Sequence, residues 1–87
     1  MKIKKQLIKR EVAGDTILVP VGKTVYESNG LFVLNEVASF IWDEMAHAEN
    51  EEAIVDKILE EYEVSREEAE ADTAQFLAKL KEMNIID

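Results

Sequence analysis

The 87 residues are 47% hydrophobic, carry a net charge of −9 and include no cysteine. Disulfides, thiolate metal sites and cysteine nucleophiles are thereby excluded, and the lone His47 cannot build a zinc site by itself. One domain is expected, no stretch approaches the ~20 apolar residues of a membrane span, and the first residues lack the apolar run of a secretion signal. The chain reads as a cytoplasmic protein without membrane contact.

The charge is unevenly placed. Lys2, Lys4, Lys5, Lys9 and Arg10 are half of the ten basic residues and no acid precedes Glu11, so the remainder carries −14. Such a body repels phosphate backbones, which leaves a nucleic-acid partner only the short basic arm. Residues 1–8 are read as a solvated arm ahead of a domain at 9–87.

In chain order, Leu7 to Ala13 alternates with Ile8 and Val12 on one face, and Thr16 to Val21 brings Ile17, Val19 and Val21 together. Gly14-Asp15 between them suits a two-residue hairpin turn with glycine first, and Pro20 must fray or face away from a neighbouring strand. Lys23 to Asn29 is a polar connection ending in the turn residues Ser28-Asn29-Gly30. Gly22-Lys23-Thr24 is not a phosphate loop, because the position five residues before Gly22 is Ile17 in a strand and no helix follows.

Leu31 to Leu34 is a short apolar run typical of a buried strand, and Asn35 offers a cap to a helix that follows at once. On that helix Val37, Ala38, Phe40, Ile41, Trp42 and Met45 occupy an apolar arc of about 200° at about 100° per residue. So wide an arc implies a hub packed against a sheet on one side and helices on the other. The three helices run from about Glu36 to His47, from about Glu51 to Tyr62 behind an Asn50 cap, and from about Arg66 to Met83 behind a Ser65/Glu68 capping box. Asn84-Ile85-Ile86 leaves the last helix and returns two apolar side chains to the bundle. The expected fold is α+β and winged-helix-like, a three-stranded antiparallel sheet followed by a three-helix bundle.

No catalytic constellation emerges. His47 falls at a helix end, where the dipole favours it, and the acidic clusters at Glu49–Glu52 and Glu67–Glu70 match the N-terminal charge bias of helices. Ser28, Ser39 and Ser65 have local roles, and Trp42 and Tyr62 sit beside core positions. What remains is an interaction surface, since a three-stranded sheet has two edges that can accept another strand. With the last helix alongside Leu31–Leu34, strand and helix form a groove for an extended peptide. The contrasting readings are an edge capped by the chain's own arm, a free edge that pairs with a second copy to make a homodimer, and a winged-helix nucleic-acid regulator. The last is opposed by Glu67, Glu68, Glu70, Asp72 and Glu82 on the final helix.

The run Leu34-Asn35-Glu36 with Phe40-Ile41-Trp42, the helix start at Glu51–Val55, Tyr62-Glu63-Val64, and Asp72-Thr73 with Phe76-Leu77 and Leu80 resembles the PqqD family. The upstream Ile17-Leu18-Val19-Pro20-Val21-Gly22 is similar to a common form of that family's second strand, and the resemblance extends over about Lys9 to Ile86. It implies a precursor-peptide recognition element with no catalysis and no cofactor. Such a protein binds the leader of a ribosomally made precursor peptide by strand addition and presents it to a modifying enzyme, often of the radical S-adenosylmethionine type. The peptide-binding positions implied are Leu31, Phe32, Val33 and Leu34 on the strand and Asp72 and Phe76 on the last helix, joined by Gln75 and Lys79 on the same flank. This chain departs from the family pattern in having Val37 and Ala38 for threonine and glycine, Thr73 for valine, and Asn84 for a glycine.

Overall fold

The computed structural model describes residues 1–23 and 32–87. Three antiparallel strands, β1 (Leu7–Val12), β2 (Asp15–Pro20) and β3 (Phe32–Leu34), precede three helices, α1 (Glu36–Met45), α2 (Glu51–Glu61) and α3 (Arg66–Glu82). The sheet order is β1-β2-β3, so β3 is an edge strand. The expected Ser28-Asn29-Gly30 turn and Leu31 lie outside the described residues.

The β1–β2 turn differs by one residue from the expected Gly14-Asp15. Val12 pairs with Asp15, which leaves Ala13-Gly14 as the loop, with φ of +52° and +86°. Two successive positive φ values make a type I′ turn, whose twist matches that of the strands it joins. The closing pair also sets the parity of the sheet. Asp15, Ile17 and Val19 direct their backbone groups at β1, a pattern continued by the bond from the Val21 amide to the Gln6 carbonyl at 2.9 Å. Thr16, Leu18 and Pro20 therefore face the other way, so the missing proline donor takes nothing from the β1–β2 ladder.

Burial alternates along β1 from Leu7 to Arg10 but not along β2, where Ile17 on the outer face and Leu18 on the inner one are both buried; the face that the helices cover is the one opposite Ile8 and Val12. Leu18 and Leu34 are buried, whereas Ile8, Val12 and Val33 on the outer face are 43%, 52% and 64% exposed. The core-facing side of the sheet carries Leu7, Leu18, Phe32 and Leu34, which pack with Ile41 and Trp42 of α1 in one cluster.

The hub helix buries Ile41, Trp42 and Met45, and the Asn35 side chain accepts from the Ala38 amide at 2.8 Å. It ends at Met45, leaving His47 exposed in the turn beyond. Asn50 and Ser65 cap α2 and α3 through the amides of Ala53 and Glu68. Ile54, Val55 and Ile58 of α2 join Ala69, Phe76, Leu77 and Leu80 of α3 in one buried cluster, and Thr73 of α3 is buried too.

Asn84 has φ +60°, the left-handed residue that closes α3. Its amide donates to the Lys81 carbonyl and that of Ile85 to the Leu80 carbonyl, the two bonds of a Schellman ending. Ile85 and Ile86 are thereby turned into the core, at 3% and 4% exposure. They also hold the N-terminal residues. Ile3 bridges Ile86, the Lys4 amide donates to the Ile85 carbonyl at 2.7 Å, and the Met1 amine donates to the carbonyls of Met45 and Ala48. The residues before β1 thus lie against the body instead of trailing in solvent.

Candidate functional site

Parity decides what each residue of β3 offers. Leu34 is opposite Thr16 and Phe32 is opposite Leu18, and both of those β2 residues face β3. Phe32 and Leu34 therefore spend their backbone groups on β2, while the amide and carbonyl of Val33 point to the open edge. Among the described residues nothing pairs with that edge.

The other outer strand differs chemically. β1 places Lys9, Arg10 and Glu11 in succession, the charged side chains that discourage strand addition. Lys9 also reaches inward, donating to the Ser39 hydroxyl at 2.9 Å and pairing with Asp43. The described part of β3 is Phe-Val-Leu, with no charge to deter a partner.

Alongside β3 runs the flank of α3 on which Asp72, Gln75, Phe76 and Lys79 recur at helical spacing. Strand and helix enclose a groove of about 200 Å³. The rings of Phe32 and Phe76 meet edge to face across it, 5.9 Å between centroids, a favoured aromatic geometry. Asp72 is half-buried; Gln75 and Lys79 are exposed on the rim. Six of the eight expected positions, Phe32, Val33, Asp72, Gln75, Phe76 and Lys79, line this one space. Leu34 does not, because its side chain is in the core and its backbone is committed to β2. Leu31 lies outside the described residues.

The first turn of α1 supplies a wall that the sequence reading assigned only to packing. Asn35, Val37, Ala38 and Ile41 line the groove as well. Their signal was the 200° apolar arc, which exceeds what sheet and helices together cover. Val37 and Ala38 are the surplus, and they make this end of the groove apolar.

The remaining features do not assemble a reactive centre. A shallow depression near the hairpin gathers Glu11, Asp15, Glu36 and Asp43 beside Tyr62, but among the described residues no group of acidic or histidine side chains could hold a metal ion. Burial, followed by the nearby charges of Glu36 and Glu61, raises the pKa of Tyr62 above its ordinary value of 10. Its ring stacks edge to face on Phe40 at 5.4 Å.

Among the described residues the α+β domain thus presents an uncharged sheet edge beside a helix wall. The family model described as "Coenzyme PQQ synthesis protein D (PqqD)" matches residues 16–86, and the chain belongs to the PqqD family. A solved structure titled "TbiB1 in Complex with the TbiA(beta) Leader Peptide" superposes on the whole chain and on 95% of its own chain, with a TM-score of 0.74 and 29% sequence identity. No curated protein matches.

Proposed function

We propose that the protein is a non-catalytic peptide chaperone that binds the leader of a ribosomally made precursor as an added strand on β3 and presents the rest to a modifying enzyme. The observation that carries this reading is the position of Val33, whose backbone pair faces an edge unpaired among the described residues, directly beside the α3 wall. Main-chain bonds to Val33 supply affinity, and the side chains of α1 and α3 supply preference. Membership of the PqqD family and similarity to a leader-bound TbiB1 support it. By family resemblance the enzyme is of the radical S-adenosylmethionine type, and the complex forms in the cytoplasm.

The test is Val33→Pro. Proline removes the outward N–H and leaves the β2–β3 bonds intact, so the fold tolerates it on an edge while leader affinity falls about tenfold or more. Isothermal titration with leader peptides encoded beside this protein measures the change, and Glu67→Ala on the exposed face of α3 serves as the unaffected control. Equal affinity for both variants removes strand addition from the account.

A further inference from the structure

The groove has a charge polarity that the strand-addition reading leaves unused. Of the residues that line it, two are charged, Asp72 and Lys79, one of each sign. Neither side chain makes an ion pair or hydrogen bond among the described residues, although Asp72 is half-buried. Elsewhere on α3, Arg66 is engaged by Asp56 at 2.9 Å. A half-buried carboxylate without a partner leaves unused a charge-assisted bond that a ligand can supply.

The fold orients the two charges relative to β3. The residues that follow α3 pair with the N-terminal segment at the sheet end where β2 finishes: Ile86 bridges Ile3, and Val21 bonds Gln6. β3 enters at that same end, with Phe32 opposite Leu18, and leaves at the other, with Leu34 opposite Thr16. Lys79 thus lies toward the start of β3 and Asp72 toward its end at Asn35. Seven residues of helix separate them by about 10 Å, with Phe76 between. In an extended peptide, alternate side chains on the groove-facing side are about 7 Å apart and the outer two of three about 13 Å. The flexible stems of a basic residue and of Lys79 bridge the difference.

Resting on the strand-addition reading, we infer that the groove selects a peptide with a basic, an apolar and an acidic residue at alternate positions, the basic one upstream, and that Asp72 and Lys79 set its direction. The order follows from antiparallel pairing, the slightly more stable arrangement and the one used throughout this sheet. A peptide antiparallel to β3 passes Asp72 first, lays its apolar side chain over Phe32 and Phe76 against Val37, and reaches Lys79 last. Direction matters because the opposite one brings like charges together at both ends of the groove.

Two synthetic ten-residue peptides of identical composition test this, one containing Arg-Thr-Leu-Thr-Glu and the other Glu-Thr-Leu-Thr-Arg, titrated into the labelled protein at low salt with amide chemical shifts as the readout. The first is expected to bind about tenfold more tightly, and the doubly substituted Asp72→Lys, Lys79→Asp protein to reverse the order. A merely structural role for these residues would weaken both peptides without reversing their order. Equal affinities in the native protein, with Val33→Pro still weakening both, overturn the directional inference and leave strand addition standing. Absence of shifts with either peptide at millimolar concentration overturns the directional inference, and strand addition stands or falls separately on the leader titration with Val33→Pro.

Discussion

At the scale of single residues, Thr73 stands apart. It is fully buried between α3 and the rest of the core, and its hydroxyl has no hydrogen-bond partner. A desolvated hydroxyl left unpaired costs about 1–3 kcal/mol, whereas valine has nearly the same shape and nothing to desolvate. Thr73→Val is expected to stabilise the protein by about 1 kcal/mol, read as a higher urea midpoint with an unchanged slope. Thr73 does not line the groove, so peptide affinity should not follow stability in this variant. Val33 is the complementary case. Its side chain is among the most exposed apolar groups, while its backbone pair faces the sheet edge, which no hydropathy reading weighs.

At the scale of elements, the β1–β2 hairpin carries an internal conflict. Its turn needs positive φ at both loop residues, and the first of them is Ala13, whose Cβ disfavours that region by about 1–2 kcal/mol. Ala13→Asn produces the asparagine-glycine pair that type I′ turns prefer and is expected to raise stability by about 0.5–1 kcal/mol. For a domain of this size that is about 2–8 °C in a thermal melt. At the other end of the chain the same conformational demand is met by Asn84, which tolerates the left-handed region and turns Ile85 and Ile86 inward. The contrast between the two outer strands belongs to this scale as well. β1 carries Lys9, Arg10 and Glu11, whereas β3 from Phe32 to Leu34 has none of the charges that discourage pairing at an edge.

At the scale of the molecule, charge decides among partners. The net charge is −9, and two of the basic residues near the N-terminus are engaged internally, Lys4 with Asp87 at 3.0 Å and Lys9 with Asp43. The excess of acidic groups opposes the approach of a phosphate backbone. A duplex of about 20 base pairs should show no retardation by this protein in a gel-shift assay at about 50 mM salt, where non-specific electrostatic binding is strong. A discrete shifted band would restore the nucleic-acid reading.

Local chemistry made much of this protein legible from its sequence. The caps at Asn35, Asn50 and Ser65, the starts of all three helices and the inward turn after Asn84 follow from side chains acting on backbone groups within a few residues. Resemblance to the PqqD family pointed to Asp72 and Phe76, and helical spacing added Gln75 and Lys79 on the same flank. What depended on tertiary structure was anything counted across strands. A one-residue difference at the hairpin, Ala13-Gly14 in place of Gly14-Asp15, sets which amides face outward, and alternation alone cannot say which face the helices will cover. Leu34 lost its place at the groove and Val37 and Ala38 gained theirs for that reason. Side-chain periodicity records that two faces exist, while the packing of α1 and α3 on the sheet decides which is buried and which edge stays open.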